Sequence, residues 1–163
     1  HVSQQSRAAR KLMADRDELV TPSDDQGINA IPIGPLYDSA FYQMHRWLSE
    51  GIDPPIQPRI EFDDVSGSIV RDDDGIAKGG IRLPQVEAPL AVNSAIPLKP
   101  DIFAYLGGSC HPFSSDQVSL RYGDRGAFLD EFESAAKSAV EEGVLRPREI
   151  LRLTKEATES WPA

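Results

Sequence analysis

The prolines constrain this chain most. Seven of its 13 prolines fall between residues 52 and 100, at positions 54, 55, 58, 84, 89, 97 and 100. Proline lacks a backbone donor and blocks the preceding helical turn, so this stretch excludes long helices and central strands. Extended chain, turns and short strands are expected there. One hairpin is legible: Ser68-Ile69-Val70-Arg71 and Ile76-Ala77-Lys78 flank the tight-turn pair Asp74-Gly75. Glu61-Phe62 and Ile81-Arg82-Leu83 are candidates for further short strands.

Helical patterns lie on either side. Residues 5–19 read as a helix, with Ala8, Leu12 and Leu19 near one face. Residues 21–34 read as a loop broken by Pro22, Gly27, Pro32 and Gly34. The clearest element follows, with Asp38 as N-cap and Gly51 just past its end. Tyr37, Phe41, Met44 and Leu48 are spaced 4, 3 and 4, so they share a face that Trp47 widens. That face is expected to be buried on a sheet or core. Towards the C-terminus, Asp124 should cap a helix running to about Glu142 and stopping at Gly143, with Phe128, Phe132, Ala136 and Val140 at every fourth position. Pro147 fits the first turn of a last helix whose buried face is Ile150, Leu153, Ala157 and Trp161. The two should form a helical hairpin. Residues 1–52, 53–122 and 123–163 thus read as three successive parts.

With 26 acidic against 17 basic residues, the net charge of -9 argues against binding nucleic-acid phosphates or an anionic membrane. No apolar run approaches the ~20 residues of a membrane span, so a soluble protein is expected. The lone Cys110 excludes an internal disulfide and a multi-cysteine zinc site. His1, His45 and His111 have no metal-ligand spacing. Asp72-Asp73-Asp74-Gly75 fails as a calcium loop, because Val70 and Ile81 would occupy ligand positions; it reads as a charged turn. Gly107-Gly108-Ser109-Cys110-His111 imitates a nucleophile elbow, but Pro112-Phe113-Ser114-Ser115 reads as a turn where an elbow needs a helix. The adjacency of Cys110 and His111 disfavours a catalytic dyad, and Gly79-Gly80 lacks the context of a phosphate loop.

Three groups of motifs carry a resemblance. The first is Pro35-Leu36-Tyr37, Arg46-Trp47-Leu48 and Gly51-Ile52-Asp53-Pro54-Pro55. The second is Pro58-Arg59-Ile60-Glu61, Ile69-Val70-Arg71-Asp72, Gly79-Gly80-Ile81-Arg82-Leu83-Pro84 and Val86-Glu87-Ala88-Pro89. The third is Leu106-Gly107-Gly108-Ser109 with Pro112-Phe113, followed by the Phe128 helix and the final leucine-rich helix. Together they resemble the C-terminal part of an α/β-hydrolase domain family of serine-esterase type.

The resemblance implies an α/β fold. Residues 1–52 would end the hydrolase core, and the proline-rich segment and helical hairpin would form a cap. It also implies that His1 matches the histidine of a Ser–acid–His triad, the alternative being an ordinary loop histidine. Such triads run Ser, then Asp or Glu, then His along the chain, which would place nucleophile and acid ahead of His1. The expected activity is carboxylic-ester hydrolysis without a cofactor or metal. The expected partners are the preceding part of the same protein and a small-molecule ester. A non-catalytic cap or interaction module is the other reading.

Overall fold

The computed structural model describes residues 29–96 and 107–162. His1, the expected helix at 5–19 and the apolar run at 102–106 lie outside them. In chain order the elements are α1 (Gly34–Glu50), β1 (Phe62–Asp63), β2 (Ser68–Ile69), α2 (Pro84–Glu87), β3 (Ala91–Ser94), β4 (Ser109–Pro112), α3 (Ser115–Tyr122), α4 (Arg125–Glu141) and α5 (Glu149–Ser160). They fall into two compact units. Of the described residues, one comprises 29–33, 91–96 and 107–112, the other 34–90 and 113–162.

The larger unit is built on the C-terminal helices. The Asp124 side chain accepts from the Ala127 amide and caps α4, as its position before an apolar repeat predicts. The helix ends in a Schellman motif. Gly143, at φ +72°, donates to Val140, and Val144 donates to Ala139. The motif turns Val144 and Leu145 inwards, both 2% exposed. Phe128, Phe132, Ala136 and Ala139 of α4 are buried, as are Leu153 and Ala157 of α5, so the expected helical hairpin forms. Val140, the expected fourth member of the stripe, is only half-buried; Ala139 takes the inward position instead. Tyr122 meets the Phe128 ring edge to face at 5.1 Å between centroids, and Trp161 lies on it tilted by 36° at 5.4 Å. Pro147 precedes α5, in a turn where Glu149 donates to Arg146, and does not occupy its first helical position.

The proline-rich stretch folds as its composition requires, with one addition. Asp72 and Ile76 close a three-residue loop in which Gly75 stands at φ +76°. Three backbone bonds then form a ring: Glu61 donates to Lys78, Lys78 to Val70, and Val70 to Glu61, at 2.9, 2.9 and 3.1 Å. Glu61-Phe62 therefore joins the hairpin, whereas Ile81-Arg82-Leu83 forms no strand and leads into α2. Gly79 is demanded by this arrangement. It stands at φ +69°, and a Cβ there would lie 2.2 Å from the Arg59 carbonyl oxygen.

The addition is α3, which begins where the sequence suggests only a turn. Ser114 and Gln117 form a reciprocal capping box, the Ser114 hydroxyl accepting from Gln117 N and the Gln117 side chain accepting from Ser114 N. Two satisfied donors stabilise an eight-residue helix that buries only Val118 and Tyr122.

Helix α1 departs from expectation twice. It starts at Gly34, so Asp38 lies inside it and is no cap; its carboxylate pairs with Arg148 at 2.5 Å and Arg146 at 3.8 Å. Nor is the apolar stripe buried: Tyr37, Phe41, Met44, Trp47 and Leu48 are 51, 65, 46, 52 and 75% exposed. The opposite, polar face does the packing. Ser39, 1% exposed, donates its hydroxyl to the Gly143 carbonyl at 2.8 Å.

In the smaller unit β3 and β4 pair antiparallel, Ala91 opposite Pro112 and Ser94 opposite Ser109. Asn29 ties the chain to this ribbon. Its amide donates to the Gly107 carbonyl at 3.0 Å and its side chain to the Ser94 carbonyl at 3.3 Å.

Candidate functional site

His1, the one residue expected to be catalytic, lies outside the described residues. The described candidates have definite local roles. Ser109 opens β4 and does not sit at a strand-to-helix elbow; it is 2% exposed, and its hydroxyl donates to the Ile96 carbonyl at 2.8 Å. The next helix begins six residues later, too far for its N-terminus to stabilise an oxyanion at Ser109. Gly108 is a backbone requirement of the same ribbon: at φ +65° its Cβ would stand 2.2 Å from the Ser94 carbonyl oxygen. Cys110 and His111 alternate along β4, so their side chains leave opposite faces of the ribbon. His111 is exposed in the smaller unit, and His45 is exposed on α1 of the larger one. Among the described residues no group of three or more His, Cys, Asp or Glu could hold a metal ion. None of their helices is long and apolar enough to cross a membrane.

The larger unit carries an open groove of about 480 Å3 between Gly79-Gly80 and the Ser134–Ser138 side of α4. Arg82 lies in its wall beside Glu87, and Glu131 and Glu142 add carboxylates. Arg82 is committed to the fold. Its guanidinium donates to Asp72 at 2.8 Å, to the Ala77 carbonyl at 2.7 Å, and to Glu87. Burial works against both charges of the Arg82–Asp72 pair. Their hydrogen bond and mutual attraction outweigh it, with further bonds from the Ile76 and Asp74 amides to Asp72, so the carboxyl stays below the ordinary aspartate range. Glu87 supports Arg82 from α2, and the guanidinium accordingly holds its proton more tightly than usual. No imidazole or thiol lines the groove, so it holds no Ser–His or Cys–His pair.

In the sequence Arg82 stands out only as part of its motif. The neighbours that define its role, ten residues back and five ahead, have no periodic spacing to reveal them. A second anchor, Arg121, holds both oxygens of Asp74 at 3.0 and 2.8 Å and lies over the Phe113 and Tyr122 rings at 5.8 and 5.7 Å. The triple-aspartate turn is thereby a docking point between hairpin and α3, and its fit as a turn rather than a calcium loop follows.

No curated protein and no solved structure matches the chain. A family model described as an alpha/beta hydrolase domain matches residues 1–155, nearly the whole sequence. On that extent of agreement, the chain belongs to the alpha/beta hydrolase domain family.

Proposed function

We propose that the complete protein hydrolyses carboxylic esters with a Ser–acid–His triad in which His1 is the general base. The observation that carries this reading is the alpha/beta hydrolase match over residues 1–155, which includes the position resembling the triad histidine. The local roles of Ser109, Cys110 and His111 support it indirectly. Ser109's hydroxyl is committed to a carbonyl, and the adjacent thiol and imidazole diverge.

In this reading a serine and an acid ahead of His1 complete the triad. The serine oxygen attacks the ester carbonyl while His1 takes its proton. The imidazolium then protonates the departing alkoxide, leaving an acyl-serine. Water attacks the acyl carbon, again deprotonated by His1, and the serine is regenerated with release of the carboxylic acid. The acid residue orients the imidazole and stabilises its charged form.

The test is His1→Ala in the complete protein, read by p-nitrophenyl ester turnover and by labelling with a fluorophosphonate serine probe. Turnover should fall by about 10³-fold or more, as loss of a triad member does. The thermal transition should stay in place. Unchanged turnover removes His1 from the mechanism, and absence of both turnover and labelling in the unsubstituted protein removes the hydrolase reading. The exposed apolar face of α1 favours a second reading, a non-catalytic cap or interaction module of a larger protein.

A further inference from the structure

The sequence holds one Asp-Gly pair, Asp74-Gly75, and no Asn-Gly. Such a pair carries its own chemistry. A backbone amide nitrogen can attack the side-chain carboxyl carbon of the aspartate before it, and a glycine in second place has no Cβ to obstruct the approach. The pair stands at the tip of the loop closed by Asp72 and Ile76, where a chain has most freedom. In the fold both reacting groups are held. The Gly75 amide donates to the Asp72 carbonyl at 2.9 Å. The Asp74 carboxylate takes one guanidinium nitrogen of Arg121 on both oxygens, at 3.0 and 2.8 Å.

We infer that Asp74-Gly75 is a site of spontaneous aspartyl isomerisation, and that Arg121 is the residue that holds it closed.

The two holds differ in origin. The loop backbone is fixed from within, because the Asp72 carboxylate also accepts from the Asp74 and Ile76 amides at 3.1 and 2.9 Å. The Asp74 side chain is fixed from outside, by a residue 47 positions away. Arg121 is itself braced, lying over the Phe113 and Tyr122 rings at 5.8 and 5.7 Å. Reaction needs the Asp74 side chain to rotate until its carboxyl carbon meets the Gly75 nitrogen, and Arg121 stops that rotation. The neighbouring aspartates are less suited to react. Asp72 and Asp73 each precede an aspartate, whose side chain obstructs the amide, and Asp72 is held by Arg82 at 2.8 Å.

Once released, Asp74 forms a bond from its side-chain carboxyl carbon to the Gly75 nitrogen. The amide proton and one carboxyl oxygen leave as water, and a succinimide ring closes. Water then adds to either ring carbonyl and breaks its bond to nitrogen. Addition at the former backbone carbonyl leaves isoaspartate, with the main chain running through the old side chain. Water is lost and regained, and nothing is oxidised. The product has one more backbone atom between Asp72 and Gly75, and its carboxylate sits directly on Cα. That tip no longer matches Arg121, so the hairpin loses its dock on α3.

The experiment holds the complete protein at neutral pH over several days. Trypsin cuts after Arg71 and Lys78, which releases the site as the peptide Asp72–Lys78. Electron-transfer fragmentation locates the isoaspartate, and methylation by protein isoaspartyl methyltransferase measures its amount. Arg121→Gln should raise the rate at Asp74 about 5-fold, as expected for loss of an exposed ion pair. Phe113→Leu keeps both partners but removes one ring beneath the guanidinium, and should raise it about 2-fold. Gly51→Ala, strained at φ +68° with open space around its Cβ, weakens the fold elsewhere and should react at the wild-type rate. A wild-type rate in Arg121→Gln overturns the inference, as does one in Phe113→Leu where Arg121→Gln does not fold. A rate in Gly51→Ala raised as far as in Arg121→Gln assigns the reaction to general loosening and overturns the role of Arg121. Isoaspartate formed at Asp72 or Asp73 in place of Asp74 overturns the site.

Discussion

Replacing Tyr122 by phenylalanine isolates one hydroxyl and gives a change of sign with pH. The ring is 8% exposed, wedged edge-on to Phe128, and its hydroxyl donates to the Pro89 carbonyl at 2.8 Å. Tyr122→Phe keeps the ring and leaves that carbonyl without its donor, which costs about 1 kcal/mol near neutral pH. The same hydroxyl resists ionisation. Burial, with smaller contributions from Glu131 and Asp74 and against the pull of Arg121, pushes its pKa from 10.0 up to about 12. A group whose pKa is raised by folding contributes fully below the unfolded value and loses that contribution as pH rises through the folded one. The wild-type protein should therefore lose on the order of 2 kcal/mol between pH 10 and 12, through this group alone.

The variant has nothing to ionise at 122. Every other titrating group is common to both proteins and cancels in the difference. Urea unfolding followed by circular dichroism at half-unit steps from pH 8 to 12 measures that difference directly. The wild type should lead by about 1 kcal/mol up to pH 9.5, the two should cross near pH 11, and the variant should lead at pH 12. A constant difference across the range would show that the hydroxyl ionises freely in the folded protein, and the burial argument would fail with it.

Three further outcomes are expected, two from the same structure and the last from the proposed triad. Gly79→Ala forces a Cβ against the Arg59 carbonyl at positive φ and should cost about 3 kcal/mol or more, whereas Gly51→Ala, at φ +68° in open space, should cost only about 1; equal losses in thermal unfolding would refute the clash. Asp72→Asn should cost about 1 kcal/mol at pH 7. Because the Asp72 carboxyl is held below 3.8, its contribution is present above that value and lost as pH falls through the folded one, so acid titration should bring the two proteins together below pH 3.8. His1→Ala should abolish ester turnover in the complete protein without moving its thermal transition.

Local chemistry is readable wherever a residue acts through its near neighbours. Asp124 and Gly143 bracket α4 as written, because a cap and a left-handed glycine are satisfied within one turn of the helix. The Asp-rich hairpin is legible for the same reason. Helix α3 is masked although its Ser114–Gln117 pair is a sequence-level start signal; the flanking proline and serines carry the stronger signature of a turn. Arg82 is not legible as an anchor, since nothing in spacing ties it to Asp72 or Glu87. The candidate site divides similarly. The family is carried by motifs scattered over nearly the whole chain, while the groove between Gly79-Gly80 and α4 exists only once the hairpin meets the helix.

The sequence by itself determined where chain direction must change and which residues share a face. Proline geometry, glycine at positive φ and the helical period are properties of one residue or a few. It also determined that one stripe of α1 is apolar. Which side of α1 meets the C-terminal helices was decided by tertiary structure alone. The Gly143 carbonyl left at the end of α4 and the cations at 146 and 148 require polar partners, and Ser39 and Asp38 supply them. Satisfying those groups turned the helix over, and left its apolar face exposed.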